Sequence, residues 1–215
     1  MVKKRSESIV KSEYTLKLKI IMELKIGKNV WSAANLAAIE FSNGDKITIA
    51  KSKSEWKKLC DEKKPACAYN KFKEKPTKDG VYYNVFAVFD SRGLIPSGWR
   101  LPTSKEWESL ARAVGGKKNA GEAMKSPKAW PNYKSHDPGS SKFNALPSGS
   151  VDTSSEDPDF SLVGSIATWW TTDSESREII KAYISEYSAE LYIKPIIGDD
   201  MNNPDYAGFN VRCVK

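Results

Sequence analysis

The segment GWRLPTSKEWESLARAVGG, Gly98 to Gly116, constrains the fold more than any other stretch of this chain. Thr103 is placed to N-cap a helix and Glu106, three residues on, closes a capping box, while Gly115 and Gly116 supply the stop. Between these signals Trp107, Leu110, Ala111 and Val114 recur at helical spacing, so a helix over Ser104–Val114 carries one apolar stripe. Such a stripe must lie on a second layer. Trp107, and Trp99 in the lead-in, are the expected anchors of that contact.

The second layer has to come from strands. Leu16, Leu18, Ile20, Met22, Leu24 and Ile26 alternate with Lys17, Lys19, Ile21, Glu23 and Lys25, the period of one long strand or two collinear ones. Equally, residues 1–21 form a basic extension and the domain begins at Met22. VWSAANLAAIEF reads as irregular or briefly helical, and Ser42-Asn43-Gly44-Asp45 as a turn. Ser52 and Glu55 cap a second helix over Lys53–Glu62, with Trp56 and Leu59 inward. VYYNVFAVF, Val81 to Phe89, is apolar enough to be buried, as strand or helix. From Pro127 to Ser161 periodicity fades, and Trp130, Phe143, Leu146 and Phe160 are the expected ties to the core.

Three strand-like runs close the chain: IATWWTT, KAYISEYSAELYIKPI and GFNVRCV. They predict an antiparallel sheet, with Tyr183, Ser185 and Tyr187 on one face and Phe209, Val211 and Cys213 on another. Because strands alternate faces, Trp169 and Trp170 cannot enter one core, so one of them lines a surface or a second layer. The length fits one well-buried domain, over residues 22–215 if the first 21 are an extension.

Several functions lack their residues. The one histidine, His136, stands in a loop without a nucleophile motif, and three cysteines give no zinc spacing. No phosphate-binding or dinucleotide fingerprint occurs. The 34 Lys and Arg against 27 Asp and Glu are unevenly spread: from Ser150 onward there are 12 acids and five bases. The basic first part interleaves lysines with acids, which describes a solvated surface and specifies no nucleic acid. No run of apolar residues forms a secretion signal or a membrane span, so the product is expected in the cytoplasm as synthesised. The odd cysteine count leaves at least one of Cys60, Cys67 and Cys213 free unless chains are cross-linked.

Two loops carry the oxygen ligands that calcium takes. One is GDDMNNPD, with Asp199, Asp200, Asn202, Asn203 and Asp205; the other is SSEDPD, with Glu156, Asp157 and Asp159. Neither has EF-hand spacing, and ordinary polar loops fit them as well. No cofactor is expected otherwise. Aromatic residues gather in the acidic final part, and Trp170, Tyr183, Tyr187, Tyr192, Asn202, Asn203 and Tyr206 are the candidate ligand contacts, being residue types favoured at recognition surfaces. Simple packing is the competing explanation.

Taken in order, KIGKNVWSAANL, FSNGDKI, SEWKKL, PACAYN, YYNVFAVFDSRGLIPSGWRLPTSKEW, FNALPSGS, ATWWTT and GFNVRCVK resemble the Fibrobacter succinogenes major paralogous domain over about Leu24 to Lys215. That domain is similar to formylglycine-generating enzymes and sulfatase-modifying factors, and more distantly to C-type-lectin-like folds, so the resemblance implies an α+β, C-type-lectin-like architecture with two main helices, small antiparallel sheets and extensive loops. The resemblance implies a cysteine where Ile95 stands, paired with the one matching Cys213. That disulfide cannot form in this chain, which favours a reducing compartment. Cys60 and Cys67 are near enough in sequence to pair, and a reduced state is equally acceptable. Formylglycine-generating enzymes bind copper through a C-terminal cysteine pair; no cysteine lies between Ala167 and Phe209, so that activity is not expected. What remains is a non-enzymatic domain binding a glycan or protein. Variable proteins of diversity-generating retroelements use the fold so, and phages carry such domains as virion or host-recognition proteins. The alternatives are an assembly component, oligomerising through the strand from Tyr14 to Ile26, and an enzyme with an unrecognised site.

Overall fold

The computed structural model describes residues 21–130, 139–151, 160–196 and 203–215. Within these residues three small sheets and four α-helices make an α+β protein. Strands β1 (Glu23–Ile26) and β2 (Asn29–Ser32) form a hairpin, and β3 (Thr48–Ile49), β4 (Ala66–Ala68) and β5 (Tyr82–Tyr83) a second sheet, parallel between β3 and β4. The third sheet is antiparallel, in the order β6 (Ile166–Thr172), β7 (Ile179–Ser185), β8 (Tyr192–Pro195). The helices are α1 (Lys53–Asp61), the single turn α2 (Val85–Val88), α3 (Ser104–Ala113) and α4 (Lys117–Met124).

Both expected helices form where their caps place them. Ser52 accepts from the Glu55 amide and starts α1, and Thr103 with Glu106 makes the capping box of α3. Arg100 then holds the Glu106 carboxylate from outside. Trp56 and Leu59, and Trp107, Leu110 and Ala111, are buried as their spacing requires. The undecided segment from Val81 to Phe89 is both: Asn84 ends β5 and caps α2 by accepting from the Ala87 amide. The first strand begins only at Glu23, and residues 14–20 of the anticipated longer strand lie outside those described.

Three apolar clusters hold these pieces together. In the first, Trp31, Trp107, Phe143 and Trp169 interlock, with ring centroids 4.7 Å apart for Trp31–Trp107 and 5.3 Å for Trp107–Trp169. The second packs Tyr83, Val85, Phe209, Val211 and Cys213 around Trp170. The third joins Trp56 and Leu59 of α1 to Tyr82 and Phe160. Trp130, Phe143 and Phe160 therefore do tie the irregular middle of the chain to the core, and Leu146 is half-buried. Trp99 is half-buried against the second cluster, with the Lys215 ammonium 5.0 Å from its ring centroid. Cys60, Cys67 and Cys213 are all buried free thiols.

The C-terminal run is a correction to the expected strand. Phe209, Val211 and Cys213 do share the second core, but the backbone makes single bridges to several segments instead of one ladder: Tyr83 with Phe209, Trp169 with Asn210, Trp31 and Arg100 with Val214. Arg212 explains why the segment is held so firmly. Its buried guanidinium donates to Ser32 O at 2.7 Å, Asn35 Oδ1 at 2.9 Å and Phe143 O at 3.0 Å, and lies over the Phe143 ring. Burial pushes it down to about 9.

Candidate recognition surface

The third sheet positions most of the candidate residues. One face of it, with Ala167, Trp169, Ala182 and Ile184, lies on the first core. Trp170 points from the other face, and it too is fully buried, donating from Nε1 to Tyr83 O at 2.8 Å and packing 4.6 Å from Phe209. The alternation of the two tryptophans is as expected, and the second layer is what receives Trp170. As a ligand contact Trp170 is corrected: its ring is covered by α2, β5 and the C-terminal segment.

Among the described residues that second cluster takes in Ile179 of β7 and Ile196 after β8 but not the tyrosines of these strands. There Tyr183 and Tyr192 stand directly opposite in register, with rings stacked at 4.9 Å and 13°. Both are half-buried. Tyr183 thus occupies one face of the Tyr192 ring, and among the described residues β8 is the outer strand of the sheet, paired with β7. The Lys194 ammonium is 5.5 Å from the Tyr192 centroid. The Tyr192 hydroxyl and Ser188 Oγ are hydrogen-bonded at 2.9 Å, which fixes the ring to the turn joining the strands.

Tyr187 belongs to that turn and not to the face of β7, because the strand ends at Ser185. It is 84% exposed, the most open large hydrophobic side chain among the described residues. The Glu186 carboxylate beside it holds its phenol above the usual range. Glu186 itself is buried and accepts from Ser165 Oγ at 2.6 Å. The sheet therefore presents Tyr183, Tyr187 and Tyr192 at one end of a single hairpin.

Helix α4, for which sequence patterning gave no element, seats this hairpin. Its Glu122 amide donates to Ala189 O at 3.1 Å, Lys117 O accepts from the Leu191 amide at 3.1 Å, and Gly121 lets the turn approach so closely that a Cβ there would lie 2.5 Å from Glu190 O. From the residue after α4, buried Lys125 donates to Ser188 O at 2.9 Å with its ammonium 5.1 Å from the Trp130 centroid. Burial pushes Lys125 down to about 8, against the opposing pull of Glu122 and Glu186. At the other end of β6 and β7, Asp173 accepts from the Glu175 and Ser176 amides and from Ser104 Oγ, clamping that turn to the start of α3. Those amides hold its carboxyl down at about 2. The hint available in the sequence was KNAGEAM, whose Ala120, Ala123 and Met124 are buried.

The remaining candidates are elsewhere. Tyr206 packs against the third core, donates to Asp61 Oδ1 at 2.6 Å and has the Lys57 ammonium 5.1 Å from its centroid, while its carbonyl accepts from Trp56 Nε1. Asn203 Oδ1 accepts from the Asp205 amide. These residues accompany α1 and not the β7–β8 hairpin. Asn202, Asp199, Asp200, Glu156, Asp157, Asp159 and His136 lie outside the described residues, within which no three His, Cys, Asp or Glu side chains gather to hold a metal ion. No helix there is long and apolar enough to cross a membrane.

The model of the Fibrobacter succinogenes major domain matches residues 24–215. Neither a curated protein nor a solved structure matches the chain.

Proposed function

The chain belongs to the Fibrobacter succinogenes major domain family, and from that premise we propose that it is a non-enzymatic recognition domain whose β7–β8 hairpin binds a glycan. The observation that carries this is the half-buried stacked pair Tyr183–Tyr192 on the outer strands of the sheet, with exposed Tyr187 in the adjoining turn. An aromatic face held rigid by a neighbouring ring and by Ser188 suits the apolar CH face of a sugar, since ordering it on binding costs little further entropy. The polar loop atoms around it suit the hydroxyls. In this proposal the fold is C-type-lectin-like, which the two longer helices, small antiparallel sheets and long irregular connections support. A virion or host-recognition protein would use such a surface on cell-wall or cell-surface sugars.

The test is a glycan array spanning bacterial, plant and animal saccharides, followed by titration of the hits. The double variant Tyr187→Ala with Tyr192→Ala should lose at least about tenfold in affinity, whereas Tyr206→Phe, which only removes the hydroxyl at Asp61, should bind as the parent does. Unchanged binding by the double variant, or an array without a hit, overturns the proposal.

A further inference from the structure

The β1–β2 hairpin has one covered edge and one open one. On the covered side Val30 exchanges both backbone bonds with Lys215, and the Ser32 amide donates to Cys213 O, so these two residues of β2 turn their backbone groups away from β1. On the β1 side Met22 O accepts from the Ala33 amide. By antiparallel alternation the bonds between the strands are then made by Leu24 with Trp31 and by Ile26 with Asn29. The N–H and C=O groups of Glu23 and Lys25 therefore point out of the hairpin, and among the described residues no backbone group meets them. Both side chains are exposed. Met22 is 75% exposed, although Leu24 and Ile26, which share its face, pack into the first core. An unpaired edge of this kind is a template for another strand.

We propose that this edge pairs with the same edge of a second copy of the chain, β1 antiparallel to β1 about a two-fold axis at Leu24. The axis sets Glu23 of each copy opposite Lys25 of the other. Those are the residues whose backbone groups face outward, so each pair exchanges two hydrogen bonds. The side chains are complementary twice over, because each Glu23 meets a Lys25 while keeping the Lys215 ammonium of its own copy. Sliding one strand by two residues keeps the backbone bonds in phase but sets Glu23 against Glu23 or Lys25 against Lys25, so charge selects the register. On the inner face exposed Met22 then lies opposite Ile26 of the other copy and is covered. The strand is four residues long, which makes the contact small and the dimer reversible.

Sedimentation of the full chain tests this. The average mass should rise from 24.0 kDa toward twice that value as concentration is raised from about 10 μM to about 1 mM. Glu23→Lys and Lys25→Glu each place like charges opposite one another, and each should weaken self-association by about tenfold or more. Mixed in equal amounts, the two variants should associate with each other about as tightly as the parent does with itself, because every pair across the axis is again of opposite sign. Removing residues 1–20 should leave the association unchanged. A parent that stays monomeric at about 1 mM, single variants that associate like the parent, or a mixture no tighter than its components overturns the proposal. Association lost with residues 1–20 overturns it too, and assigns the contact to that segment.

Discussion

Gly121→Ala is the substitution on which the account of the hairpin's seat most depends. In a solvent-facing helix interior this change adds about 1 kcal/mol of stability through helix propensity alone. Here the new Cβ would lie 2.5 Å from Glu190 O and 2.9 Å from both Ala189 O and Glu190 C, all backbone atoms. Ordinary contact is about 3.5 Å, so α4 and the turn must separate by about 1 Å. Overpacking of this kind costs about 1–3 kcal/mol. If the Glu122–Ala189 and Lys117–Leu191 hydrogen bonds lengthen as well, each removes about 1 kcal/mol more. After the propensity gain, a net loss of about 2 kcal/mol is expected, a fall in Tm of about 4–8 °C for a chain of this size. Urea unfolding followed by tryptophan fluorescence reads this, with exposed Lys118→Ala on the same helix expected within about 0.5 kcal/mol of the parent. Amide exchange at Leu191 should quicken in parallel. A Gly121→Ala protein more stable than the parent would refute the close seat, because the sign of the effect separates a crowded glycine from an open one.

The buried thiols set the alkaline limit. Cys60, Cys67 and Cys213 are each pushed up to about 12 by burial, whereas unfolded thiols ionise near 8.5. Their contribution is whole below that value and is lost as pH rises toward 12, at up to about 1.4 kcal/mol per pH unit for each thiol; Cys67→Ala should flatten the limb above pH 9 by about one proton, as measured by urea midpoints across pH. Arg212→Met strands the acceptors Ser32 O, Asn35 Oδ1 and Phe143 O and is expected to cost at least about 3 kcal/mol, with Arg212→Lys recovering little because an ammonium cannot span three acceptors on separate segments; parent-like denaturation by either variant would contradict this. Glycan binding should survive exhaustive chelation with EDTA, and loss restored by calcium would instead assign the ligand site to Asp199, Asp200 and Asp205.

Local signals were legible and tertiary ones were not. Ser52 with Glu55 and Thr103 with Glu106 satisfy helix ends within four residues, so α1 and α3 could be placed from their caps. Helix α4 has no side-chain cap, and the glycine inside it argues against a helix until Glu190, 69 residues later, is brought against it. The Trp169–Trp170 alternation showed that the sheet has two occupied faces but not what covers the second. That cover is assembled from α2, β5 and the C-terminal segment, and the last of these pairs with no partner for long enough to leave a strand pattern of its own. The tyrosines were legible as a group; that Tyr183 meets Tyr192 follows only from the length of the turn between β7 and β8.

The bonds from the C-terminal residues also govern when the protein can fold. Arg212 bonds to Ser32 across 180 positions, Cys213 to the same serine, and Val214 pairs with Trp31. A chain emerging from the ribosome can form α1 and α3 early, yet the first core lacks its guanidinium and the β1–β2 hairpin lacks its neighbour until residue 214 is free. Contacts this distant slow the search for the native state. A nascent chain whose residues 206–215 are still inside the ribosomal tunnel should therefore lack a closed first core, and proteases should cut it freely.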